Sequence, residues 1–406
     1  MKRRKTTTWL IFVLAFLFLG NIYDAGGTLG VKYVSAFVAI VAIVATLRRF
    51  DLSAEAMFVG AGLFVVWPTW SFVYGLINGA DPGLAFSQVS SFLFAGILAG
   101  LISAMDNRLP LRMLYWCMFS LAVVILVLFA IILAAPQSGP SGMIMDFLAR
   151  FHEKEGYFGS NEDKGLIIYF RAALFLVPTC VYFLFTGRTW RALLVLLAVA
   201  LSHSKAGVVI SLVFVAGFLF FAFRSTRVKA TTLDPPAGVF TMTRKILLVL
   251  GLGLVSIIFL SLVPKFGKEV WDAMTVQSET ALLRKGHIES IVELFSWRPD
   301  YLLTGQGAGT HFFSSGAQGV VSNIEVDHLN TIRKFGLPWF IVFTAVVIRV
   351  VLKLIRSDRT DMRASGFALA SSFLASGTNP VLITPLFIML LVASYFAQRQ
   401  EQVYVR

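Results

Sequence analysis

Long apolar runs recur along the whole chain, from Trp9 to Phe396, with short basic clusters between them, and this pattern limits what the polypeptide can become. One buried core with a membrane anchor would use only one or two such runs, whereas a series spread over 406 residues needs a bilayer as its solvent. Composition agrees: the chain is 57% hydrophobic and 14% charged, against about 45–50% and about 25% in soluble domains. In lipid every backbone polar group must be satisfied within the protein, which leaves helices or a closed barrel. The runs are of helix length and lack the alternating segments of about ten residues that build a barrel, so helices are expected.

The pattern predicts an all-α integral membrane protein of about twelve spans, at 9–23, 30–47, 55–77, 84–104, 112–134, 166–185, 190–202, 207–223, 245–263, 336–355, 364–376 and 381–396. Lys2, Arg3, Arg4 and Lys5 precede the first run as they would in a secretory signal. No small-x-small cleavage site follows, so the run is expected to stay as the first helix. With the amino terminus inside, basic residues concentrate in the cytoplasmic segments, which accounts for the net charge of +13 as topology and implies no nucleic acid. Cys117 and Cys180 both fall inside apolar runs, so no structural disulfide is expected.

The whole chain, 1–406, reads as one polytopic domain with two long outer segments, 135–165 and 264–335, the second bearing short helices and too long for a mere connection. Two outward hairpins, 191–223 and 364–396, are too short for two full spans of about 20 residues each. Their tips, Ser202-His203-Ser204-Lys205-Ala206-Gly207 and Ser376-Gly377-Thr378-Asn379-Pro380, are polar and helix-breaking. Such sequences are tolerated at depth where they line a cavity or pack against protein.

Several residues stand out chemically. Arg171 is expected about one and a half turns, or roughly 8 Å, inside the span 166–185, where an ionisable group faces a polar cavity or snorkels to the interface. Arg284 falls on the stripe of Ile288, Ile291, Val292 and Phe295, so its guanidinium is expected where the apolar face packs. Gly305-Gln306-Gly307-Ala308-Gly309 can serve as an ordinary turn or present consecutive amides to phosphate or sugar oxygens. Glu325, Asp327, His328 and Asn330 form the densest titratable cluster, just before the chain re-enters the membrane. They suit an N-terminal cap or a base whose pKa is moved toward working pH by partial burial. All five histidines are expected on the outer side with no zinc spacing, and no acidic pair in an outer loop suggests a divalent metal.

Taken in order, these features resemble the O-antigen polymerase and O-antigen ligase superfamily of membrane glycosyltransferases. The resemblance rests on Ser202-His203-Ser204-Lys205 after a short helix, Arg171 in the preceding helix, Gly305 to Gly309 in the large outer loop, and His328-Leu-Asn330-Thr-Ile-Arg-Lys-Phe-Gly336-Leu-Pro-Trp-Phe at the return to the membrane. It covers residues from near 165 to 345. Lys205 stands where the family often has Arg, and Lys lacks the bidentate fork.

The resemblance implies glycosyl transfer on the periplasmic face of a bacterial inner membrane, without cofactor or metal. Donor and acceptor would be glycans on undecaprenyl diphosphate, and the partners membrane lipids, a chain-length regulator and a flippase. Arg171, Arg284 and Lys205 would hold the donor diphosphate, with Ser204, His287, Gly305 and Gly307 as further substrate contacts, and Glu325, Asp327 or His328 would deprotonate the acceptor hydroxyl. Polymerisation of repeat units is the first expectation, and transfer to lipid A-core by a ligase the alternative. A lipid-linked oligosaccharide flippase is the alternative of another class, although transporters usually place charges near the midplane.

Overall fold

A computed structural model describes residues 8–46, 54–105, 108–134, 143, 156–161, 165–202, 205–228, 279–377 and 379–405. The expected span 245–263, the tip residues His203 and Ser204, and most of the loop 135–165 lie outside them.

The first seven helices are α1 (Thr8–Tyr23), α2 (Val31–Thr46), α3 (Ala54–Ala61), α4 (Trp67–Ile77), α5 (Pro82–Val89), α6 (Leu93–Ser103) and α7 (Leu109–Ala134). Asp24 sets the start of α2, its carboxylate accepting from the amides of Leu29 and Lys32 at 2.9 and 3.1 Å. A wide turn, Gly62–Val66, joins α3 to α4, and Pro68 explains its geometry. The amide of Trp67 reaches back five residues to the carbonyl of Gly62, so the matching partner for Leu63 would be the amide of Pro68, which has no hydrogen. The indole Nε1 of Trp339 donates to the Leu63 carbonyl instead, at 3.1 Å. Trp339 is fully buried, stacked on Phe343 and edge-on to Phe92.

Next come an antiparallel hairpin, β1 (Gly156–Asn161) and β2 (Gly165–Phe170), a tight turn Arg171–Phe175, then α8 (Leu176–Phe185), α9 (Thr189–Leu201) and α10 (Lys205–Val228). This corrects the expected span 166–185: its first residues, Leu166-Ile-Ile-Tyr-Phe, are a strand, in keeping with their β-branched and aromatic side chains. Arg171 therefore lies at the start of the helical segment and not a turn and a half inside it. α8 is apolar all round and buried from Leu176 to Leu184, as suits a helix packed against α9 and α15.

The outer segment holds α11 (Glu279–Trp297), α12 (Asp300–Thr304), a small hairpin of β3 (Phe312–Ser314) and β4 (Gly319–Val321), and α13 (Asp327–Phe335). Gly336, at φ 82°, turns the chain into α14 (Leu337–Ile355), followed by α15 (Thr360–Ala375) and α16 (Pro385–Val405).

Among the described residues, four helical stretches are long and apolar enough to cross a membrane: Met57–Ile77, Pro82–Ser103, Leu109–Ala134 and Leu337–Ile355. Six further apolar helices among the described residues are shorter. The chain is thus a mainly helical protein consistent with an all-α membrane protein, and these four stretches do not establish the expected twelve spans. α9 and α15, of 13 and 16 residues, fall below the about 20 residues of a full span.

Candidate functional site

α13 is the organising element. Its first residue, Asp327, is 3% exposed, and its Oδ2 accepts the amide of Leu382 at 2.6 Å. Burial pushes the carboxyl up to about 6, opposed by the amides of Leu382 and Val381 and by Lys334. Asp327 thereby anchors the connection between α15 and α16. This corrects its expected part as a base: the carboxylate is spent on backbone amides away from solvent.

His328 is half-buried beneath Phe340 and Phe373, and its Nε2 lies 3.0 Å from Ser376 Oγ. The single hydroxyl proton of Ser376 goes to the Phe373 carbonyl at 2.5 Å, so its oxygen is left to accept. The hydrogen-bond pattern therefore assigns the proton to Nε2, which donates to Ser376, and leaves the lone pair on Nδ1. Burial lowers the pKa of the ring, against a hydrogen bond to the Phe373 carbonyl that raises it. Gly377 flanks Nδ1: a Cβ there would stand 3.7 Å away. Of the three expected bases, Asp327 is enclosed, Glu325 is partly exposed but held by a guanidinium, and His328 is half-buried with no cation paired to its ring among the described residues.

Glu325 is engaged with Arg284, whose Nε and Nη2 lie 2.9 and 2.8 Å from Oε2. The packed face of α11 is rotated from the expected stripe. Gly286, His287, Ser290 and Ile291 are buried, whereas Ile288 and Val292 are exposed. Arg284 thus sits at the edge of the packed face, with its guanidinium on a carboxylate. His287 Nδ1 lies 2.5 Å from Ser314 Oγ and fastens α11 to β3. Its pKa is lowered by burial, against the pull of Glu325.

The glycine loop also departs from expectation. The amides of Gly305, Gln306, Ala308 and Gly309 donate to Tyr301 O, Arg333 O, Ser71 O and Gln88 Oε1, so they are not presented to a ligand. Gly305 and Gly307 have positive φ, and a Cβ on Gly307 would overlap the backbone of Gly75 in α4. The glycines let two backbones touch.

Two residues whose role the sequence reading missed, Arg333 and Lys334, are fully buried in the last turn of α13. Arg333 donates to Gln306 Oε1 at 2.6 Å, Ser322 O at 2.7 Å, Asn330 Oδ1 at 3.0 Å and Thr310 Oγ1 at 3.2 Å, and covers the Phe312 ring. Burial pulls its pKa down, but a guanidinium among such acceptors stays charged. Lys334 donates to Asn323 Oδ1, and burial lowers its pKa well below that of a free lysine. The available signal was their position: two consecutive cations separated only by Phe335 from Gly336 and a membrane-entering helix.

Arg171 is exposed, and its turn packs against α15, the helix whose C-terminal end holds His328 through Phe373 and Ser376. Lys205 opens α10. Ser204 lies outside the described residues. Among the described residues no three of His, Cys, Asp and Glu are grouped to hold a metal ion. No family model and no curated protein matches the chain.

Proposed function

We propose that the protein is a glycosyltransferase that polymerises glycan repeat units carried on polyprenyl diphosphate, acting at the outer face of a membrane. The observation that carries this reading is His328: a neutral imidazole with Nε2 fixed by Ser376, Nδ1 left as acceptor beside Gly377, and an exposed Arg171 on a turn packed against the same helix.

Nδ1 takes the proton of the acceptor hydroxyl, whose oxygen attacks the anomeric carbon of the donor. The new C–O bond forms as the bond to the diphosphate oxygen breaks, with inversion, and the electron pair leaves on the lipid diphosphate. Arg171 and Lys205 supply positive charge for that leaving group. Arg284 acts with Glu325, the ion pair standing three residues before the base.

The test is turnover of lipid-linked repeat units by the purified protein. His328→Ala is expected to lower the rate about 10²–10⁴-fold while the thermal midpoint stays near wild type, and Arg356→Ala, on an exposed turn after α14, to leave the rate unchanged. Activity should fall only on acidification below the ordinary histidine value of 6.5. Full activity in His328→Ala would overturn the mechanism. Polymerase and ligase separate on a gel of a deletion strain: single units on lipid A indicate a polymerase, and polymer stranded on carrier lipid a ligase.

A further inference from the structure

A second feature lies away from the outer layer. Between α3 with its wide turn, α6, α14 and α16 runs a groove of about 770 Å³, within the about 300–1,000 Å³ usual for ligand sites. Its walls are apolar, built from residues such as Phe64, Ala95, Val350 and Phe396, and Leu93 and Val65 are exposed along it. Charge enters through Arg349, Lys353 and Arg399, close to the C-terminal ends of α14 and α16. Arg349 and Lys353 are four residues apart and share a helix face, where like charges repel. The dipole of α14 favours Lys353 in its last turn, and Arg349 and Arg399 bring two more positive charges to the same groove.

An apolar trough with cations gathered toward one end has the polarity of a single amphiphile. We propose that the groove binds one anionic phospholipid, with an acyl chain along the α6 and α14 walls and its phosphate on Lys353, Arg349 and Arg399. A zwitterionic lipid brings an ammonium group against the three cations, and a second copy of the chain would have to bring carboxylates to them. Arg349 and Arg399 have other interactions within the protein, so Lys353 is the first cation to test.

The experiment is native mass spectrometry of the full chain in non-ionic detergent, titrated with phosphatidylglycerol or phosphatidylethanolamine of the same acyl composition. One phosphatidylglycerol per chain should be retained in preference to phosphatidylethanolamine. Lys353→Gln should weaken retention about fivefold, and Arg349→Gln with Lys353→Gln about 25-fold, following the usual gain per cation near anionic lipid. Gly96→Phe tests the apolar half, because Gly96 lines the groove and a Cβ there meets nothing within 4 Å; it should abolish retention while the thermal midpoint stays near wild type. Arg356→Gln, which does not line the groove, should retain lipid as wild type does. Equal retention of the two lipids, no change in both Lys353→Gln and Gly96→Phe, or a dimer that excludes lipid would each overturn the proposal.

Discussion

Two pairs of cations stand on consecutive helices, Arg333 with Lys334 at the end of α13 and Arg349 with Lys353 along α14, and their surroundings are opposite. Arg333 is wholly enclosed, yet meets side-chain and backbone oxygens of four residues, Gln306, Thr310, Ser322 and Asn330. Arg349 and Lys353 face a hollow with apolar walls. A buried charge is tolerated when enough acceptors converge on it, and removing it then strands all of them. Lys353, beside the apolar hollow, has no such set of acceptors around it among the described residues, while Arg349 has other interactions within the protein. The first pair therefore holds the outer segment together, and of the second pair Lys353 is the cation open to a ligand.

Substitution can break this contrast. Arg333→Ala should show the largest effect, a loss of about 3–5 kcal/mol in thermal unfolding of the solubilised protein. Arg333→Lys should not rescue it, because three donors on a flexible stem cannot replace a planar fork.

A smaller effect should follow pH. The carboxyl of Asp327 is raised from 3.8 to about 6 in the folded protein, so the stability it contributes is complete below its unfolded value and is lost as pH rises through about 6. His287 and His328, with lowered values, act in the opposite sense over an overlapping range. The difference between wild type and Asp327→Asn across pH 4–7 isolates the carboxyl and should slope in the stated direction.

A double-mutant cycle on Arg284 and Glu325 should give a coupling of about 0.2–1 kcal/mol that weakens with salt, since both side chains are partly exposed. Lys353→Gln should change stability least, by about 0.5 kcal/mol or less. Equal losses in Arg333→Ala and Lys353→Gln would remove the distinction between the two pairs.

The helical runs were legible because lipid demands apolar segments of set length, and most of the described helices fall where the apolar pattern predicts them. Residues 166–170 were misread since a short apolar run fits a strand as well as a helix, and its partner strand, Gly156–Asn161, carries no comparable pattern. The candidate bases were visible as a cluster, but their division of labour was not. Asp327 is committed to an amide 55 residues away, and any residue offers an amide. Glu325 meets Arg284 across 41 residues, and Arg333 gathers oxygens from 306 to 330; neither leaves a spacing signature.

The bare notch at Gly75 has a consequence for how the protein is made. Its lining is completed by Gly307 and Ala308, more than two hundred residues later in synthesis, with Ala308 donating to Ser71 in the same helix. On a nascent chain the fourth helix must wait with that slot unfilled while most of the polypeptide emerges. Chains stopped before residue 305 would leave it open, and a protease that recognises such unfinished surfaces could sort complete molecules from incomplete ones.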